Sequence, residues 1–265
     1  EWAIRRSREI GIRRKALSGL RKRKNSMSSK FALVLANGPS LNTISLEEVA
    51  KAQLELTEVF AVNFFPIVEK TQVMIPNYVV LSDPGTKPNS LDPRSIELWN
   101  WFELNQKVQI ICPSSWYRSL RDNRFDLNRF VFFDDTALIS WSRNVSPVRA
   151  RGYLSLTAYK ALSVACFFGY SEIEIIGFDN SQIKGLIVDE KNRLFQGPSH
   201  FVEYENISDI TDLYYRGVGD YFHDFSCAFL DLRKFSHFEN IWNLDRHSFV
   251  DAFPKKTSSK FLNRA

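Results

Sequence analysis

FALVLANGPSLN, residues 31–42, decides the fold. Phe31 to Leu35 are five apolar residues in a row, the pattern of a strand buried on both faces. The run stops at Ala36-Asn37-Gly38-Pro39-Ser40, where Gly and Pro end the ladder at once. A turn at the carboxyl end of a first strand is where open α/β sheets take their ligands. Gly38 lets a ligand approach the backbone closely, and N–H groups near Ser40 are placed to receive a phosphate. The turn is not a P-loop, having no GxxxxGK[ST], and it is not GxGxxG.

Outward from this turn, strands alternate with helices. Ser45-Leu-Glu-Glu48 is a capping box that starts a helix running toward Gln53. Strands are expected at Glu58–Val62, Tyr78–Leu81, Val108–Ile111, Phe130–Phe133, Glu172–Ile176 and Asn240–Asn243. Helices are expected at Ser95–Leu104, at Leu154–Phe168 and over most of Ser208–Phe235, broken near Gly217 and Gly219. This order predicts an α/β fold: a Rossmann-like, mostly parallel sheet flanked by helices. Residues 181–207 carry Gly185, Gly197 and Pro198 and are expected to form a loop-rich, lid-like insertion after the Gly177–Asp179 turn. The chain divides into a basic amphipathic segment or linker over 1–30, one domain over 31–250 and a basic tail over 251–265.

Four expected strands end in a polar residue: Asn37, Asn63, Asp83 and Asp179. In a parallel sheet those ends share one rim, so four amide and carboxylate groups would line one crevice. Turns favour Asn and Asp for their own reasons, so one such residue says little and four in register say more.

Composition narrows the class. Of 265 residues, 44% are hydrophobic and 14% aromatic, which supports a packed core. No apolar run reaches bilayer length, and the basic start leads into no signal-peptide core. Ten Lys or Arg stand against two Glu in residues 1–24, so the overall charge of +5 is a property of that segment, not of the body. Its apolar residues, Trp2, Ile4, Ile10, Ile12, Ala16, Leu17 and Leu20, are spaced for a cationic helix on an anionic membrane surface or for a solvated linker. Nucleic acid is disfavoured by the acidic body. Cys112, Cys166 and Cys227 are far apart; the first two are expected as buried thiols in a reducing compartment. With no CxxC, no DxD at a strand end and no paired histidines, no metal site is expected. Asp134-Asp135 is expected to be a solvated turn.

ANGPSL after the first strand, VNFF after the second and LSDP after the third resemble the bacterial sialyltransferases of glycosyltransferase family 42. The likeness continues through the apolar helix and GYSEIEIIGFD to SHFVEY, spanning residues 31–245. The chain also resembles motility-accessory-factor-type glycosyltransferases, which share the G-P-S-L turn. The resemblance implies a Rossmann-like enzyme that moves sialic acid or a related nonulosonic acid from a CMP-activated donor to a bacterial surface glycan or its lipid-linked precursor. It implies no cofactor, and a cytoplasmic enzyme held at the inner face of the membrane by its basic termini; a homo-oligomer stays open. Asn37, Gly38, Asn63, Gly177 and Asp179 match donor-nucleotide positions. Ser155 and Thr157 lie near the donor-contacting serine, and Arg149 or Arg151 stands where the family has an essential arginine. The family's two phosphate-cradling tyrosines are replaced by Ser181 and Ile187, and its histidine base by Tyr204.

Sugar transfer needs a phosphate holder, a general base and exclusion of water. Arg151 or Arg149 is the expected phosphate or carboxylate partner. His200, in Ser199-His200-Phe201, is the first candidate base because imidazole titrates near neutrality. Tyr204 and Asp83 are the alternatives. Asn243, Arg246, His247 and Ser248 are expected either to complete the nucleotide pocket or to pack on the surface. Two other functions fit the same turn: a Mg²⁺-dependent diphosphokinase of the pterin type, and a nucleotide- or glycan-binding module without catalysis.

Overall fold

The structure is a computed structural model. It describes residues 10–54, 57–136, 144–149, 156–196, 211–212 and 217–259. Seven parallel strands form the main sheet: β1 (Phe31–Leu35), β2 (Thr57–Val62), β3 (Tyr78–Val80), β4 (Gln109–Pro113), β5 (Phe130–Phe133), β6 (Glu172–Ile176) and β10 (Ile241–Asn243). Their spatial order is β10-β6-β1-β2-β3-β4-β5, and every neighbouring pair is parallel. This is the α/β arrangement expected from the alternation of apolar runs. The chain lays down β1 to β5 in one direction, then crosses back to place β6 on the other side of β1. That reversal makes β1 and β6 the switch point of the sheet.

Helices cover both faces, which is why β1 and β6 are apolar or buried at nearly every residue. Helix α1 (Leu46–Gln53) starts at Ser45, whose side chain accepts from Glu48 N–H, as the capping box predicts. Helices α2 (Pro93–Leu104) and α3 (Tyr117–Asp122) flank the β3–β5 half. Helix α4 (Thr157–Phe168) packs across β1, β2 and β3. Nine of its twelve residues are buried, and Gly169 ends it in the left-handed conformation at φ +79°. Helix α5 (Val218–Arg233) follows Gly217.

Residues after the β6 turn differ from the expected loop. A short 3₁₀ turn leads into a separate antiparallel sheet of β7 (Leu186–Val188), β8 (Leu194–Gln196) and β9 (Thr211–Asp212). Helix was expected to begin near Ser208; Thr211–Asp212 is a strand instead, paired to β8. The strands of this small sheet are two or three residues long, too short for an apolar period to announce them.

Both basic ends also differ from expectation. Ala16, Leu17 and Leu20 are buried, with Leu20 inside the main core cluster. Asn25 and Met27 N–H donate to the carbonyls of Phe167 and Phe168, satisfying the last turn of α4. Arg13 pairs with Asp134, which was expected to be solvated and is buried. Ala16, Leu17 and Leu20 are therefore used by the protein's own core, Ile10 is exposed, Trp2 and Ile4 lie outside the described residues, and the segment from Ala16 on is more than a linker. Leu20→Ala should lower stability by about 2–5 kcal/mol in a denaturant melt, whereas a solvated linker residue would change it by less than about 0.5 kcal/mol.

At the other end, residues 254–256 add to β10: Asn243 N–H donates to Pro254 O and Lys256 N–H to Asn243 O, each at 2.9 Å. Lys256 reaches inward to Glu172 and to fully buried Glu174, and its ammonium stands 4.4 Å from the Trp242 ring. Lys255 donates to the carbonyls of Arg246 and Ser248. Both lysines thus make contacts within the fold. Cys112 and Cys166 are buried free thiols, pushed up by desolvation. Among the described residues no helix is long and apolar enough to cross a membrane.

Candidate functional site at the sheet switch point

The turns after β1 and β6 are bolted together. Gly38 N–H donates to Gly177 O at 3.0 Å. Asp179 receives Ser40 N–H on one carboxylate oxygen at 2.9 Å and the Ser40 hydroxyl on the other at 2.8 Å. Ser40 Oγ in turn accepts from Gly177 N–H at 3.0 Å. Two glycines make this approach possible. A Cβ on Gly38 would lie 2.0 Å from an Asp179 carboxylate oxygen, and one on Gly177, already at φ +78°, would lie 2.2 Å from Ala36 O. Ser40 therefore turns inward and holds Asp179; its N–H is already engaged rather than offered to a phosphate.

Burial pushes the Asp179 carboxyl up, and the two hydrogen bonds from Ser40 oppose that rise. A carboxyl whose folded value is raised stabilises most at acid pH and loses that contribution as pH climbs through the folded value. Asp179→Asn should remove this loss above the ordinary carboxylate range. Asp179→Ala should leave the Ser40 donors without an acceptor and cost about 2–3 kcal/mol. Melts of both variants between pH 4 and pH 8 separate the two effects.

A crevice of about 510 Å³ opens above the bolt. Asn37, Asn63, Asp83 and Asp179 all line it, so the four strand-end residues do share one rim. Gly38, Gly177 and Thr157 join them. Asn63 lies at φ +49° and Asn180 at φ +48°, left-handed positions that Asn tolerates better than most residues. The Asn63 amide donates to Thr157 Oγ1 at 3.1 Å and accepts from Ser82 N–H at 3.3 Å. The Thr157 and Ser82 hydroxyls lie 2.6 Å apart. Asp83 sits exposed at the mouth, one oxygen receiving Gly85 N–H at 2.8 Å.

Helix α4 points its N-terminus into the crevice, with Leu156 to Lys160 on the wall. Leu156 supplies no side-chain cap. The first N–H groups of a helix have no intrahelical partner, and that end carries partial positive charge. Lys160 adds a full charge there and donates to Ser82 Oγ at 3.0 Å. It is the only cation among the described lining residues. Sequence reasoning missed it, although one signal was available: Lys160 is the single charge in the twelve residues TAYKALSVACFF. Gln182 was missed as well. The side-chain carbonyl oxygens of Asn37 and Gln182 are both buried with no hydrogen-bond partner among the described residues, and both residues line the crevice. Buried acceptors of this kind are costly unless something donates to them.

Other expected site residues lie elsewhere. Arg149 lines a separate cavity with Arg21 and Lys24 and is absent from the crevice wall. Arg151, Ser155, His200 and Tyr204 lie outside the described residues. Asn243, Arg246, His247 and Ser248 do not line the crevice; Ser248 Oγ donates to Phe178 O and Phe249 N–H to Asp179 O, so this segment buttresses the turn from behind. Ser181 does line the crevice, while Ile187 is exposed on β7.

Comparison with protein-family models finds no match to the chain, and comparison with curated proteins finds no significant one. The likeness carried by NGPSL, VNFF and LSDP thus stands as a likeness of short motifs.

Proposed function

We propose that the crevice binds the nucleotide of an activated sugar and that the protein is a glycosyltransferase. One observation carries the reading: acceptors on Asn37 and Gln182 that have no partner among the described residues share a crevice with Lys160 and the start of α4, where Leu156 supplies no side-chain cap. Amide oxygens suit the hydroxyls of a ribose or the exocyclic amine of a base. A lysine and a helix N-terminus suit a phosphate. A single ligand bearing both halves is a nucleotide.

In the transfer step the acceptor hydroxyl loses its proton to a base as its oxygen bonds to the anomeric carbon. The bond from that carbon to the phosphate oxygen breaks, and its electron pair leaves on the nucleotide. Lys160 and the α4 terminus offset that departing charge. Asp83, at the mouth, is the described carboxylate positioned for the acceptor proton; His200 and Tyr204 are the alternatives. The sheet of β7–β9, which follows Gln182, is the element proposed to cover the donor. The motif resemblance favours a CMP-linked acidic sugar and a glycan or lipid-linked acceptor.

Calorimetry with CMP, UDP and GDP tests the reading. Binding of CMP below about millimolar supports it, and no heat from any of the three at that level overturns it. Release of CMP from a CMP-activated sugar separates a transferase from a binding module, and Mg²⁺-dependent consumption of ATP would select the diphosphokinase instead.

A further inference from the structure

A second cavity, about 690 Å³, lies away from the crevice, along the outer side of α4. Its walls come from four separate parts of the chain: the N-terminal residues Arg21, Lys24 and Asn25, the segment 144–149, α4, and His237-Phe238. Cys166 and Phe167 of α4 contribute from the body. Arg21, Lys24 and Arg149 are exposed and bring three cations to one opening, and no Asp or Glu is among the described residues that line it. None of the three forms an ion pair with a described residue. Elsewhere in the same segment Arg13 meets Asp134 and Lys30 meets Glu58, while Arg14, Lys15 and Lys22 are exposed away from the cavity lining.

The interior of the cavity has a different character. Val145, Pro147 and Cys166 are buried, and Val148, Phe167 and Phe238 pack against the main core cluster. Ser163 holds the segment in place by donating to Val145 O. The result is an apolar floor under a cationic rim, held by the fold and not by a single loop.

We propose that this cavity is an anion site for a phosphate-bearing ligand, separate from the crevice. Two guanidinium groups offer paired N–H donors that match phosphate oxygens, and Lys24 adds a point charge. Carboxylates would repel such a ligand, and the described lining residues include none. The same chemistry could be presented by an anionic lipid headgroup, with its glycerol region on the apolar floor, or by a soluble diphosphate. The site does not depend on what the crevice binds.

The test uses the full chain, with Lys160 intact and as Lys160→Met so that the crevice is accounted for. Inorganic pyrophosphate is titrated by calorimetry, and vesicles of phosphatidylcholine with and without phosphatidylglycerol are used in flotation. The variant Arg21→Gln/Lys24→Gln/Arg149→Gln should weaken the binding seen at least tenfold in both Lys160 backgrounds. The control Lys51→Gln/Lys107→Gln/Lys191→Gln removes the same charge from other exposed positions and should bind as wild type. Recruitment to phosphatidylglycerol vesicles that the first triple variant loses assigns the site to a lipid headgroup. Pyrophosphate binding without recruitment assigns it to a soluble phosphate. Equal binding by the two triple variants, or no binding of either probe by wild type, overturns the proposal. Thermal melts check that both triple variants fold, as neutralisation of exposed side chains should allow.

Discussion

Gly38→Ala should lower the melting temperature by about 10 °C and abolish ligand binding in the crevice. The added methyl would stand 2.0 Å from an Asp179 carboxylate oxygen and 2.4 Å from Gly177 O. The second contact is with backbone, which cannot swing aside. Relief requires the β1 and β6 turns to part, and parting breaks the Gly38–Gly177 and Ser40–Asp179 hydrogen bonds together. Overpacking costs about 1–3 kcal/mol and each of the three buried hydrogen bonds about 1 kcal/mol net, so a total of about 4–6 kcal/mol follows. For a chain of this size that corresponds to roughly 2–4 °C per kcal/mol. Gly11→Ala is the control: its Cβ would meet nothing within 4 Å, and it lies in a helix, where Ala is preferred by about 0.5–1 kcal/mol. Calorimetric melts of the two variants decide the matter. A Gly38→Ala melt within about 2 °C of wild type would mean that the two turns are not locked together.

The parts of the fold legible in the sequence are those with long apolar runs. β5 and β6 fall at the residues expected, and the Ser45 cap starts α1 where its pattern says. The crevice was legible for a related reason. Strand ends in a parallel sheet share a rim, so polar residues ending β1, β2 and β6, and following β3, had to meet. What those residues do once there was not legible. Ser40 and Asp179 satisfy each other, a pairing across 139 positions of sequence that no local pattern encodes. Lys256 shows the same limit: a terminal lysine looks solvated until its partners, Glu172 and Glu174, are placed beside it by β6. The N-terminal segment carries an amphipathic period that is the same whether its apolar side meets a membrane or a core. Leu20 chooses the core because α4 presents an apolar surface to it.

Lys160→Met should weaken CMP binding by about 30- to 150-fold, with a thermal melt to check that the variant folds. The side chain is half-buried at the start of α4, where methionine is an equally good helix former. Its loss removes one hydrogen bond to Ser82, while Ser82 keeps Thr157. A charge-assisted contact to phosphate is worth about 2–3 kcal/mol where water is partly excluded, and each 1.4 kcal/mol is tenfold in affinity. The same charge stabilises the departing nucleotide, so CMP release from an activated donor should fall by at least that factor. Lys160→Arg keeps the charge but exchanges a compact ammonium for a planar fork, and should recover binding in part. Raising the salt concentration provides an independent check, because screening weakens the wild-type interaction and has little to act on in Lys160→Met. If Lys160→Met binds CMP as wild type does and keeps the same salt dependence, the phosphate is held elsewhere and the crevice does not work as a nucleotide site built on α4.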